Sequence, residues 1–332
     1  MIKGFWYFAW LFIGGISGGA VSEQPAGFYE DIIYGTAGGQ SLLLDACVPE
    51  GKGLRPAVIL IHGGGWSGGD KKDMEFLYKP LSEAGFVWFS INYRLAPQHR
   101  WPACIEDVRS AIRWVRANAA AYRADAGRIA LIGYSAGGHL ACLAAVQADP
   151  TERVQAVVGI APPTDHEADS ERRGGLSPSM QKLLDRPGEM NDDARMMLQR
   201  ISPIQYVNAG LPPFLLLHGT DDNSVPYSQS VNFKAKLDHY CAPCEIITIE
   251  SAGHRITEWE AIHPQYIKDI TNWLTKAVQA DRRQSVAVSA AGKPVELTVS
   301  ADGKGRFTSV QAAVNAVPDG NLEPVVILIA PG

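Results

Sequence analysis

The stretch Ile129-Ala130-Leu131-Ile132-Gly133-Tyr134-Ser135-Ala136-Gly137-Gly138-His139-Leu140 constrains this chain more than any other: an apolar strand runs into Gly-x-Ser-x-Gly and leaves it as a helix of small residues. A serine hydroxyl is a weak nucleophile until it is aimed and deprotonated, and a sharp strand-to-helix turn aims it by holding the side chain proud of the sheet. Gly133 and Gly137 carry no Cβ, so the two arms of the turn can pack closely. The helix that follows directs the positive end of its dipole at the turn. Ser135 is the expected nucleophile.

Apolar runs of strand length recur on either side, at 56–61, 85–94, 154–161, 213–218 and 245–249. Helical segments at 102–121, 228–240 and 266–280 separate them, and residues 27–34 and 41–48 read as an edge hairpin around the turn at 35–39. This alternation predicts an α/β fold with a mainly parallel sheet covered on both faces by helices. Ligands of such sheets sit at the carboxyl ends of the strands, where Ser135, Asp222 and His254 all fall. Between Asp165 and Pro203 the pattern breaks into polar, Met-rich helical pieces at 179–184 and 192–200, a small helical cap that serves as a lid or wall over a site. Met180, Met196 and Met197 either pack that cap onto the core or line an apolar pocket.

The chain order serine, acid, histidine is that of an α/β-hydrolase triad. His254 follows the last core strand and would take the Ser135 proton; a carboxylate would fix its tautomer. Asp221 and Asp222 compete for that role. Asp222 is preferred because it stands four residues before Pro226 in a Val-Pro turn, which leaves Asp221 to bond the loop backbone. His139, His166, His218 and His263 do not follow the last core strand and are assigned structural or surface roles. Glu106 and Asp107 are adjacent on a helix and point to different sides, so they form no acid/base pair.

The buried run 56–61 ends in His62-Gly63-Gly64-Gly65-Trp66. Consecutive glycines expose backbone N–H groups without side-chain obstruction, as an oxyanion hole requires. Gly64 and Gly65 are the expected loop donors, with the N–H of Ala136 completing the set; His62 is expected to brace the loop by hydrogen bonding. Trp66, Asp165 and Arg255 are assigned to substrate contact. No metal and no cofactor is expected.

Charge excludes one class of partner: a formal charge of −5 with interspersed signs gives no basic stripe for nucleic acid. Lys3, an apolar run at 5–16 and Ser17-Gly18-Gly19-Ala20 form the pattern of a secretory signal spanning 1–20, so a secreted or periplasmic location is expected. The run falls short of the roughly 20 apolar residues of a spanning helix, so no stable membrane anchor is expected. Five cysteines follow; Cys142 reads as a buried hydrophobe and Cys241-Ala242-Pro243-Cys244 as a local disulfide.

His62-Gly-Gly-Gly-Trp66, Asn92-Tyr93-Arg94-Leu95-Ala96-Pro97, Gly133-Tyr-Ser-Ala-Gly-Gly138, Ser202-Pro203-Ile204 and His218-Gly-Thr-Asp-Asp222 together resemble the α/β-hydrolase superfamily from about Tyr34 to Ala280. Within it the resemblance is to the hormone-sensitive-lipase-like and bacterial feruloyl and acetyl-xylan esterase branch. It implies a serine carboxylesterase with an acyl-enzyme mechanism, acting on a polysaccharide-linked or small-molecule ester. Arg255 departs from the small residue usual after the histidine in that family and would narrow the pocket or contact an acidic substrate. Two rivals share the scaffold: a prolyl-oligopeptidase-type peptidase, disfavoured by the lack of a preceding propeller, and a catalytically silent binding module, disfavoured by the intact triad residues.

Beyond an esterase domain at 21–280, residues 281–289 read as a linker and the composition then shifts. Strand-like Glu296-Leu297-Thr298-Val299, the turn at Asp302-Gly303-Lys304-Gly305, a helix start and a further strand at 325–329 resemble the opening of a pectin methylesterase β-helix over 290–332. None of that family's catalytic residues falls in this piece, and a solenoid coil cannot bury its own face. The expectation is therefore a domain that continues beyond this sequence and an ester substrate on pectin or another plant cell-wall polysaccharide.

Overall fold

The computed structural model describes residues 24–290, 295–299 and 325–329, with side chains for 24–279 and Val299. The signal-like segment and the helix start expected after Gly305 lie outside the described residues.

The hairpin β1 (Gly27–Ala37) and β2 (Gln40–Val48) forms one edge of the sheet, turning at Gly38 and Gly39. There follow β3 (Arg55–Ile61), α1 (Tyr78–Glu83), β4 (Val87–Ile91), α2 (Ala103–Asn118), β5 (Ala124–Tyr134), α3 (Ala136–Val146) and β6 (Ala156–Ile160). The cap comprises α4 (His166–Arg173), α5 (Pro178–Leu184) and α6 (Asp192–Ile201), and the domain closes with β7 (Phe214–Gly219), α7 (Ser228–His239), β8 (Cys244–Ile249), α8 (Trp259–Ile262) and α9 (Tyr266–Ala290).

Eight strands lie in the order β1-β2-β4-β3-β5-β6-β7-β8. All neighbours from β4 to β8 are parallel, and only the hairpin and its junction with β4 are antiparallel. Strands buried on both faces read as continuous apolar runs, and that is why 56–61 and 213–218 stood out. Side chains alternate between the two faces. Ile59 and Ile61 join Val108, Ile112, Leu140 and Phe233 under α2, α3 and α7, whereas Val58 and Leu60 join Leu81, Trp259, Ile270 and Leu274 under α1, α8 and α9.

Two expectations change. Residues 281–289, read as a linker, continue α9 to Ala290; the run holds neither Gly nor Pro, and its Arg, Gln and Ala residues are good helix formers. Cys241 and Cys244 are free thiols rather than a disulfide. The first is exposed at a left-handed turn position past α7 (φ 56°), while the second opens β8 and packs partly into the sheet.

Farther on, β9 (Val295–Val299) and β10 (Val325–Ile329) pair in parallel, as two strands joined by a crossover do. A single parallel pair belongs equally to a β-helix coil and to other crossovers. No helix among the described residues is long and apolar enough to cross a membrane.

Candidate active site

Ser135 stands between β5 and α3 with φ 54° and ψ −118°, a backbone region that costs a non-glycine residue about 1–3 kcal/mol. Its N–H donates to the Ile160 carbonyl at 2.8 Å, and its carbonyl accepts from the His139 N–H at 2.9 Å. The flanking glycines serve close approach. A Cβ on Gly133 would run into the Gly137 carbonyl, and one on Gly137 into the carbonyls of Ile61 and His62. Gly133 thus lets α3 close on β5, and Gly137 lets it press against the end of β3, which lays the loop after β3 beside Ser135; a Cβ on Gly63 would lie 3.3 Å from that of Ser135.

His254 Nε2 lies 2.9 Å from Ser135 Oγ, and His254 Nδ1 lies 2.6 Å from Asp222 Oδ2. With Nδ1–H donating to the carboxylate, Nε2 is free to accept the hydroxyl proton. Gly219 brings the two loops together, because a Cβ there would overlap the Ala252 carbonyl. Tyr134 holds the histidine from beneath: its hydroxyl donates to the His254 carbonyl at 2.7 Å and its ring stacks on the imidazole at 5.4 Å. Burial pushes the Tyr134 phenol up to about 12, so it stays a neutral donor.

Of the two adjacent aspartates, Asp222 is the one whose carboxylate meets His254. Its Oδ1 accepts the N–H groups of Ser224 at 2.9 Å and Val225 at 2.8 Å. Burial raises its pKa, but hydrogen bonds from His218, His254 and the Val225 amide outweigh that and hold the carboxyl well below the usual carboxylate range. Asp221 is exposed; among the described residues its carboxylate accepts the Thr220 hydroxyl at 3.3 Å, and its contact with loop backbone runs through its own N–H, which donates to the Ala252 carbonyl at 3.0 Å. His218 takes the structural role expected of it, and that role falls on the acid. Fully buried, it sets Nε2 3.3 Å from Asp222 Oδ2 and 2.8 Å from the Val225 carbonyl, with Nδ1 2.7 Å from Ser230 Oγ. A hydroxyl donating to Nδ1 places the proton on Nε2, facing the acid.

On the other side of Ser135, Gly64 and Gly65 take φ of +106° and +58°, conformations that favour glycine. Among the described residues no acceptor engages the N–H of either. The Ala136 N–H opens α3, where the first turn leaves donors without intrahelical partners. His62 braces the loop as expected: it is buried, Nδ1 lies 2.7 Å from the Gly63 carbonyl, and its ring stacks on Tyr93 at 4.3 Å. Tyr93 in turn donates to the His62 carbonyl at 3.0 Å, and Arg94 anchors this segment through a forked pair with the buried Asp107.

The three residues assigned to substrate contact divide. Trp66 is buried, with its indole N–H bonded to His139 Nδ1 at 3.1 Å, so its side chain is committed to the interior. Asp165 caps α4, accepting from the Ala168 N–H at 3.1 Å, while Gln229 holds its backbone. Arg255 has its side chain in solvent, 82% exposed, in a loose ion pair with Glu258 at 3.9 Å. In the cap, Met180 is buried and Met197 packs partly against the core, whereas Met196 is exposed. Ser179 of α5 closes on the oxyanion loop, where a Cβ on Gly65 would meet its hydroxyl at 2.7 Å.

A groove of about 1260 Å³ opens at the amino ends of β6, β7 and β8, and no triad residue lines it. Size does not locate the chemistry here; the hydrogen-bonded chain at the opposite ends of the strands does. No cluster of three metal-ligating side chains occurs among the described residues.

A mainly parallel sheet with a strained serine after β5, and an acid and a histidine after β7 and β8, defines the α/β-hydrolase class. Within that class the chain belongs to the BD-FAE family, whose profile matches residues 44–237. It is similar to esterase LipC of Mycobacterium tuberculosis, with 37% identity over 226 residues covering 62% of this chain and 54% of LipC. Esterase LipQ of the same organism is 36% identical over 244 residues, covering 68% of this chain and 56% of LipQ. The chain thus spans about half the length of these curated relatives. Among solved structures, a truncated carbohydrate esterase from gut microbiota superposes with a TM-score of 0.66 at 28% identity, covering 79% of this chain and 99% of that one. The apo form of Thermogutta terrifontis esterase 2 gives 0.62 at 26% identity, covering 74% and 92%.

Proposed function

We propose that this protein is a secreted serine carboxylic ester hydrolase that removes acetyl or feruloyl groups from plant cell-wall polysaccharide. One observation carries the chemistry: Ser135 Oγ, His254 and Asp222 form an unbroken hydrogen-bonded chain of 2.9 and 2.6 Å. Ser135 Oγ attacks the ester carbonyl as its proton passes to His254 Nε2. Asp222, ionised, stabilises the imidazolium, and the N–H groups of Gly64, Gly65 and Ala136 receive the charge that develops on the carbonyl oxygen. Collapse releases the alcohol, which leaves with the proton from His254, and the acyl group stays on Ser135. Water then attacks with His254 as base, the acid departs, and the Ser135 hydroxyl is restored.

Family membership, the esterase relatives and the structural neighbour described as a carbohydrate esterase support the reaction and a sugar-linked substrate. The signal-like segment at 1–20 supports secretion, and the tail's resemblance to a pectin methylesterase opening supports a plant polysaccharide. The exposed guanidinium of Arg255, next to His254, is assigned to contact with an acidic group of the substrate.

Side-by-side assay of p-nitrophenyl acetate, methyl ferulate, acetylated xylan, acetylated pectin and a prolyl amide tests this reading. Turnover of the esters with no comparable amide cleavage is expected. Equal efficiency on the prolyl amide would replace the esterase reading with a peptidase, and turnover of none would leave a binding module.

A further inference from the structure

Trp66 is the third successive residue of the oxyanion loop with positive φ, after Gly64 and Gly65, and at φ 56° it is the one that is not glycine. Left-handed backbone disfavours a residue with a Cβ, so something must hold it. Its carbonyl accepts from the Ala96 N–H at 2.8 Å. Its indole N–H donates to His139 Nδ1 at 3.1 Å, and its ring meets those of His139 and His166 edge-on at 5.3 and 5.5 Å.

His139 lies one turn along α3 from the nucleophile, its own N–H bonded to the Ser135 carbonyl at 2.9 Å. On the far side of its ring, Nε2 lies 2.7 Å from the carbonyl of Ile201, the last residue of α6 in the cap. Indole nitrogen is only a donor and a carbonyl only an acceptor, so one tautomer satisfies both contacts: Nδ1 bare, Nε2 protonated. The fully buried imidazole joins three parts of the site that are distant in sequence, namely the nucleophile helix, the oxyanion loop and the cap.

We propose that His139 is a positioning residue for the reaction, which as a neutral Nε2–H imidazole clamps Trp66 and so fixes the Gly64 and Gly65 N–H groups against Ser135. The inference rests on the reading of Ser135 as nucleophile and of the glycine loop as its oxyanion site. Burial supports the neutral state by pushing the His139 pKa down to about 4. His139 touches no reacting atom; it acts through the loop.

Two substitutions separate the two halves of the clamp. In His139→Asn the side-chain oxygen occupies the place of Nδ1 and keeps the Trp66 bond while losing Ile201. In His139→Gln the terminal amide nitrogen takes the place of Nε2 and keeps Ile201 while losing the acceptor for Trp66. Loss of one oxyanion donor costs about 10²–10³-fold in kcat, so a displaced loop is expected to cost about 10–10²-fold. His139→Gln should therefore lose about 10–10²-fold in kcat on p-nitrophenyl acetate with KM nearly unchanged, and His139→Asn should stay within about threefold of wild type.

A fall of both variants in step with their melting temperatures, or a greater loss in His139→Asn, would overturn the proposal. A second readout is independent of turnover: the ¹⁵N spectrum of the His139 ring in the wild-type protein should show an unprotonated Nδ1 and a protonated Nε2 at neutral pH. The opposite tautomer, or an imidazolium, overturns the clamp even if the esterase reading stands. A wild-type protein that shows the expected spectrum yet turns over no ester refutes the esterase reading and leaves the clamp geometry in place.

Discussion

The two sides of Ser135 are held by opposite means. On the triad side, an ionised carboxylate is surrounded by donors: the Ser224 and Val225 amides, His254 and His218. On the oxyanion side, buried histidines support the glycine loop; burial lowers the pKa of His62 and His166, and brings that of His139 to about 4. One side is stabilised by keeping a charge, the other by keeping charge out. Acid should therefore undo the second long before the first.

The largest effect expected tests the triad side. Asp222→Asn leaves the shape intact but favours the wrong tautomer of His254, so kcat should fall by about 10³–10⁴-fold. Asp221→Asn, which alters a carboxylate that meets Thr220 and not His254, should stay within a few-fold. Steady-state kinetics on both variants check this, and a reversal of the two would move the triad acid to Asp221. Loss of the His139–Trp66 bond comes next at about 10–10²-fold, and it sharpens the comparison by striking the oxyanion side alone.

A third effect falls on stability rather than turnover and has a definite sign. Each of the three histidines is held neutral in the fold below the ordinary value near 6.5. The stability it contributes is complete above about 6.5 and is withdrawn as the pH falls toward the folded pKa. For His139 that difference is on the order of 3 kcal/mol between pH 6.5 and 4. Asp222, with its pKa depressed, loses its contribution only as the pH falls below about 4. Melting temperature should drop between pH 6.5 and 4 in the wild type and drop less in His139→Asn. A flat profile across that range would break the contrast between the two sides.

Much of this was legible in the sequence, for identifiable reasons. The parallel sheet was visible because strands buried on both faces must be apolar throughout. The meeting of Ser135, Asp222 and His254 was legible because each follows a strand at the same end of the sheet, and the glycines because close backbone contact excludes side chains. Partners that act at a distance in sequence left no comparable mark. Trp66 at the end of the glycine loop looked like a substrate contact, yet its partner His139 lies 73 residues away. Asp165 looked available until the structure showed it capping α4. His218 was assigned a structural or surface role because it does not follow the last core strand; that its partner is the acid shows only once the turn after β7 brings Asp222 back to it. Tyr134 was hidden as the variable residue of Gly-x-Ser-x-Gly, although its hydroxyl holds the loop of His254. Residues 281–289 were read as a linker, yet no helix-breaking residue stands there and α9 runs on to Ala290.

The central claim is that one hydroxyl is activated by one imidazole. The most direct measurement is mass spectrometry of the full chain after exposure to a p-nitrophenyl alkylphosphonate, which transfers its phosphonyl group to an activated serine with release of p-nitrophenol. A single adduct on Ser135, lost in His254→Ala while that variant keeps the wild-type melting profile, is the predicted result. Labelling elsewhere, or labelling of Ser135 that persists unchanged without His254, would contradict it.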